Sequence, residues 1–68
     1  MNEVYLLRMN LFTQENFLRC VFTRDPEREE VVQLVWDKRE ECEQGQLKAA
    51  LEQARTGDYY VDVVPFYT

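Results

Sequence analysis

Apolar and polar residues alternate through the first dozen positions. Tyr5, Leu7, Met9 and Leu11 share one side, and Val4, Leu6, Arg8, Asn10 and Phe12 the other. Period two in an aliphatic and aromatic segment predicts a strand, here over 4–12. Thr13-Gln14-Glu15-Asn16 is polar and short, which suits a hairpin loop. Residues 17–24 fit two patterns. As a strand, Leu18, Cys20 and Phe22 oppose Phe17, Arg19, Val21 and Thr23; as a helix, Phe17/Val21 and Leu18/Phe22 pair at four-residue spacing. The β-branched and aromatic content and the short length favour the strand. A last strand is expected over 59–66, with Tyr59, Val61 and Val63 opposite Tyr60, Asp62, Val64 and Phe66. Pro65 cannot donate a ladder bond, so this strand belongs at an edge.

Between these strands the period changes to that of a helix. Asp25-Pro26 is a start signal: Asp accepts a bond from an orphan N–H, and Pro at the first helical position is pre-set in φ. Glu27, Glu29 and Glu30 then complement the positive helix end. A helix is predicted from Pro26 to about Gln44, with Val31, Leu34, Val35, Lys38 and Cys42 along one stripe. Trp36 is expected in the core beside Val32 and Val35. The stripe Leu47, Ala50, Leu51, Ala54, measured at roughly 100° per residue, is rotated by more than about 90° from the first. A bend at Gly45 giving two helices explains that rotation better than one long helix. Gly57 suits the left-handed position that ends the helical region.

The order is strand, strand, helical region, strand. A right-handed crossover makes strand three parallel to strand two, and strand one between them then pairs antiparallel with both. The expected fold is a single small α+β domain over 1–68. It is a three-stranded antiparallel sheet of order 2-1-3 with a helix or helix pair on one face. The helices cover Tyr5, Leu7, Met9, Leu11, Val61 and Val63. The opposite face carries Leu6, Phe12, Phe17, Val21, Tyr60, Val64 and Phe66, and nothing obvious covers it. The competing arrangement sends one helix to each face.

Composition narrows the function. A chain of 68 residues hides only about 60% of its unfolded surface, and its core supplies no more than ~3–5 kcal/mol net. A net charge of −5 opposes binding to phosphate backbones and to anionic membranes. It does not oppose a basic protein partner. The chain has no His and no Ser, which removes Ser-His and Cys-His nucleophiles and every imidazole metal site. Its only glycines are Gly45 and Gly57, too few for a phosphate-cradling loop. The first apolar stretch is broken by Arg8 and Asn10, is too short to span a membrane, and lacks the basic flank and cleavage site of a secretion signal. Cys20 and Cys42 are then expected to be reduced thiols in a cytoplasmic protein. Acidic neighbours of Cys42 would raise its pKa rather than activate it. No catalytic residue, metal site or cofactor is predicted.

Two surfaces remain as candidates. The first is the open sheet face: Leu6, Arg8, Phe12, Phe17, Arg19, Val21, Tyr60, Val64 and Phe66, with the aromatics as anchors and the arginines as rim. It would dock a protein partner, or stack on the same face of a second copy to make a homodimer. The second is the acidic helix, Glu27, Glu30, Asp37, Glu40, Glu41 and Glu43, which could mimic nucleic-acid phosphate toward a basic partner. Most of those carboxylates suit an ordinary solvated helix face. Glu40, Glu41 and Glu43, however, would lie at the negative end of the predicted helix, where acids are unfavourable.

In size, acidity and strand-strand-helix-strand order, the chain resembles the small phage-encoded proteins that inhibit host enzymes. The likeness is one of overall shape. It implies a small acidic binding module acting as an inhibitor or adaptor, without catalysis.

Overall fold

The computed structural model describes residues 2–11, 14–43 and 45–66, apart from the side chain of Phe66. Strand β1 (Asn2–Leu11) and strand β2 (Gln14–Phe22) form a hairpin. Helix α1 (Arg28–Asp37), a 3₁₀ turn at Arg39–Glu41 and helix α2 (Gln46–Thr56) follow, and strand β3 (Tyr60–Phe66) closes the sheet. The order is β2-β1-β3 with both pairings antiparallel, the α+β topology expected from the pattern. Phe12 and Thr13 lie outside the described residues.

Both helices cover one face. Leu7, Met9 and Leu11 of β1 and Leu18 of β2 meet Val31 and Val35 of α1 and Ala50 and Ala54 of α2 in one buried core. The small residues of α2 let its backbone approach closely, while the β-branched pair of α1 fills the remaining volume. The competing arrangement, one helix to each face, does not occur.

The hairpin departs from the expected loop. Gln14, Glu15 and Asn16 belong to β2, and Gln14 already pairs with Leu11. The register slips between Met9 and Leu11: Met9 opposes Leu18, so Glu15, Asn16 and Phe17 bulge opposite Asn10. Asn16 adopts φ 53°, a left-handed conformation that Asn tolerates better than most residues. Its N–H donates to the Asn10 side-chain oxygen at 2.9 Å. The bulge turns Phe17 inward beside Leu18, and both are buried. Phe17, expected on the open face, is therefore a core residue.

The helix start also shifts. The N-cap is Glu27, two residues beyond Asp25. Glu27 and Glu30 form a capping box, each carboxylate accepting from the other's backbone N–H. Arg24 then clamps Glu30 through both guanidinium nitrogens at 2.6 and 2.7 Å. The predicted helix over 26–44 breaks after Asp37, earlier than Gly45. Lys38 leaves α-helical geometry, and its ammonium reaches across to the Phe17 carbonyl at 2.6 Å. Gly45, at φ 87°, opens α2, and Gly57, at φ 80°, closes it. A Gln53 amide N–H bonds the carbonyls of Asn10 and Asp58, tying α2 to β1 and to the approach of β3.

Candidate protein-binding face

Cross-strand pairing defines the surface opposite the helices. Arg19, Arg8 and Tyr60 form one row, Val21, Leu6 and Asp62 the next, and Val4 with Val64 a third. Side chains opposite one another in a sheet project to the same side, so these residues share one face. Val21 and Tyr60 are each 60% exposed, and Val64 is 39% exposed. Leu6 and Val4 are half-buried only by their neighbours within the sheet. Among the described residues, no helix packs over this face.

Arg8 organises its centre. Its guanidinium bonds the Asp62 carboxylate at 2.8 Å and lies 5.8 Å from the Tyr60 ring centroid. Both partners of the ion pair are about half exposed. Exposed pairs of this kind are worth ~0–1 kcal/mol, so the arrangement fixes side-chain direction more than it adds stability. Arg19 stands directly opposite Arg8 on β2. Like charges in that relation are destabilising. Among the described residues, no carboxylate pairs with Arg19. The two arginines are cross-strand neighbours beside the row of Val21 and Leu6, with the Arg8 guanidinium turned toward β3.

The predicted site residues divide accordingly. Leu6, Arg8, Arg19, Val21, Tyr60 and Val64 come together on the open face. Phe17 lies in the core on the other side. Phe66 pairs with Asn2 at the end of β3, and Phe12 lies outside the described residues.

The acidic set does not share one helix. Glu27 and Glu30 are engaged in the capping box of α1, and Asp37 at its end accepts from the Gln33 amide at 3.0 Å. Glu40 and Glu41 belong to the 3₁₀ turn. Glu43 stands just before α2, where its N–H bonds the Gln46 side chain and its carbonyl accepts from the Gln46 N–H. Glu43 therefore stands just before the positive end of α2, while Glu40 and Glu41 lie in the turn between the helices, outside the last turn of α1.

Trp36 corrects another expectation. It is 46% exposed rather than buried, with the Arg39 guanidinium 4.8 Å from its ring and bonded to its carbonyl at 3.0 Å. Cys20 and Cys42 are both free thiols. Burial, and then the Glu41 charge, push the Cys42 thiol above its ordinary value, the opposite of an activated nucleophile.

Comparison with protein-family models, with curated proteins and with solved structures finds no match to this chain.

Proposed function

We propose that the chain is a protein-binding module that docks through the open face of its sheet, an adaptor or inhibitor without a catalytic step of its own. One observation carries the reading: Arg8 and Arg19 stand opposite each other beside a row in which Val21 is exposed and Leu6 half-buried. Asp62 pairs with Arg8, but among the described residues no carboxylate pairs with Arg19, so the opposition is only partly compensated within the chain, and a local rule broken in this way is the kind of departure expected at a functional position. The cost is recovered when a partner places a carboxylate between the two guanidiniums, because Arg matches that group with two parallel bonds. The occupant is therefore a protein with an apolar ridge flanked by acidic side chains. A second copy stacked face to face fits poorly, since it would add two more guanidiniums and only one more carboxylate.

The test immobilises the chain, captures partners from a cell lysate, and titrates each purified partner by calorimetry. Val21→Glu, Tyr60→Glu and Arg19→Glu should each abolish capture, while Glu40→Gln, Glu41→Gln and Glu43→Gln leave it intact. Loss of binding in the three Gln variants, with Tyr60→Glu neutral and affinity collapsing as salt rises, would overturn the reading. It would favour a mimic of nucleic-acid phosphate bound to a basic partner.

A further inference from the structure

The two edges of the sheet are built differently. The β2 edge is interrupted by the bulge at Asn16 and Phe17, its Phe17 carbonyl is taken by Lys38, and Glu15 and Arg19 are exposed along it. Natural edges are blunted in these ways to prevent strand addition. The β3 edge has no bulge, and its one blunting device is Pro65 near its end. Its seven residues keep one continuous register with β1, from Arg8↔Tyr60 to Asn2↔Phe66. Its single charge, Asp62, is neutralised by Arg8.

We propose that β3 is the joint of a homodimer, pairing antiparallel with β3 of a second copy to make a continuous six-stranded sheet. The inference is independent of the docking reading. Antiparallel pairing of two identical strands places a two-fold axis normal to the sheet, which puts both helix layers on one side and both open faces on the other. Full overlap of Tyr60–Phe66 with itself puts Val63 on the axis. Val63 faces the helix side through its pairing with Tyr5, yet it is 53% exposed. The helices stop short of it, leaving room for the same side chain from the second copy. In this register Asp62 faces Val64 of the other copy. Moving the axis by one residue, onto Asp62, would set carboxylate against carboxylate, a directly opposed like-charge pair.

Pro65 fixes which backbone groups face the joint and at the same time limits its strength. Proline in an edge strand sits with its nitrogen outward, so Val61, Val63 and Pro65 turn their backbone polar groups away from β1. The neutral edge lets a second copy approach despite the net charge of each chain, whereas a charged peptide would gain little there. Each Val61 carbonyl then faces a Pro65 nitrogen that cannot donate. The joint is left two bonds short, and it is reversible.

Sedimentation equilibrium of the full chain from about 1 µM to about 500 µM tests this. The expected result is a monomer–dimer equilibrium. Val63→Lys should raise its dissociation constant at least about tenfold by opposing two ammonium groups on the axis, with the circular dichroism unchanged. Pro65→Val should tighten it by roughly threefold to tenfold by restoring donors, and this gain keeps the test valid even if the Lys variant folds poorly. Val21→Glu should leave the equilibrium unchanged. A chain that is monomeric throughout, even as Pro65→Val, overturns the proposal. So does a dimer that Val21→Glu breaks and Val63→Lys spares, or a β3 whose amides gain exchange protection only when another protein is added. A chain that stays monomeric leaves capture of a partner by the open face untouched, whereas a dimer broken by Val21→Glu would place the second copy on that face and count against such capture.

Discussion

The Asn16 N–H bonds the Asn10 side-chain oxygen at 2.9 Å, and that bond holds the bulge that turns Phe17 into the core. One polar contact on the surface thus decides the face taken by the largest fully buried side chain. Asn10→Ala should lower stability by ~1 kcal/mol, the net worth of such a bond, as measured by urea unfolding. Phe17→Ala should cost ~3–5 kcal/mol, comparable to the whole stability of so small a domain, and leave the chain unfolded by circular dichroism. Val21→Ala, on the open face of the same strand, should stay within ~0.5 kcal/mol of the parent.

Glu30 titrates far from the ordinary carboxylate range. The Arg24 guanidinium, and then the Glu27 N–H, hold its pKa down to about 2 from 4.5. A depressed acid contributes stability above its unfolded value, and that contribution is lost as pH falls through the folded value. Unfolding midpoints should therefore decline between about pH 4.5 and pH 2. Glu30→Gln should show a shallower decline across the same window, and Arg24→Gln should show it too. A wild-type slope retained in both variants would place the titration elsewhere.

Lys38 joins the two layers. Its ammonium donates to the Phe17 carbonyl and lies 5.2 Å from the Phe17 ring centroid. Lys38→Met keeps the apolar stem but leaves that carbonyl without its charged donor. The expected loss is about 1.5–3 kcal/mol, the range for hydrogen bonds to charged groups. Thermal unfolding of the Met variant against Lys38→Arg, which can retain a donor, checks it.

Gly45 and Gly57 separate two costs. Both have positive φ, but a Cβ at Gly45 would meet nothing within 4 Å, while one at Gly57 would lie 3.2 Å from the Arg28 guanidinium. Gly45→Ala should cost ~1–2 kcal/mol through backbone conformation alone. Gly57→Ala should cost slightly more, because Arg28 must move off the Arg55 carbonyl it now reaches at 3.5 Å. In an Arg28→Ala background the two substitutions should become equal by denaturant titration.

The topology and the open face were legible because period two survives in β1 and β3 and the proline marks an edge. The sidedness of Leu6, Tyr60 and Val64 follows from that parity alone. Phe17 was not legible, since the bulge at Glu15, Asn16 and Phe17 changes the side of Phe17 alone, while Leu18, Arg19 and Val21 keep the sides that alternation predicts, and Asn16 carries no unambiguous mark of such a turn. The start of α1 was misplaced by reading Asp25-Pro26, although the Glu27-x-x-Glu30 spacing held the capping-box signal. The break at Lys38 has no glycine or proline to announce it, because a long-range bond from Lys38 to Phe17 accompanies it. Trp36 was assigned to the core on size, whereas Val31 and Val35 already fill the volume under α1 and leave the indole to Arg39.

The open face holds two guanidiniums and one carboxylate, while the chain carries a net charge of −5. The acids therefore gather on the helical side, and the molecule is an electric dipole with its positive pole on the sheet. In the field of an acidic surface such a body rotates before contact and arrives sheet first. This steering acts on the rate of encounter more than on the lifetime of the complex, and dissolved salt weakens it.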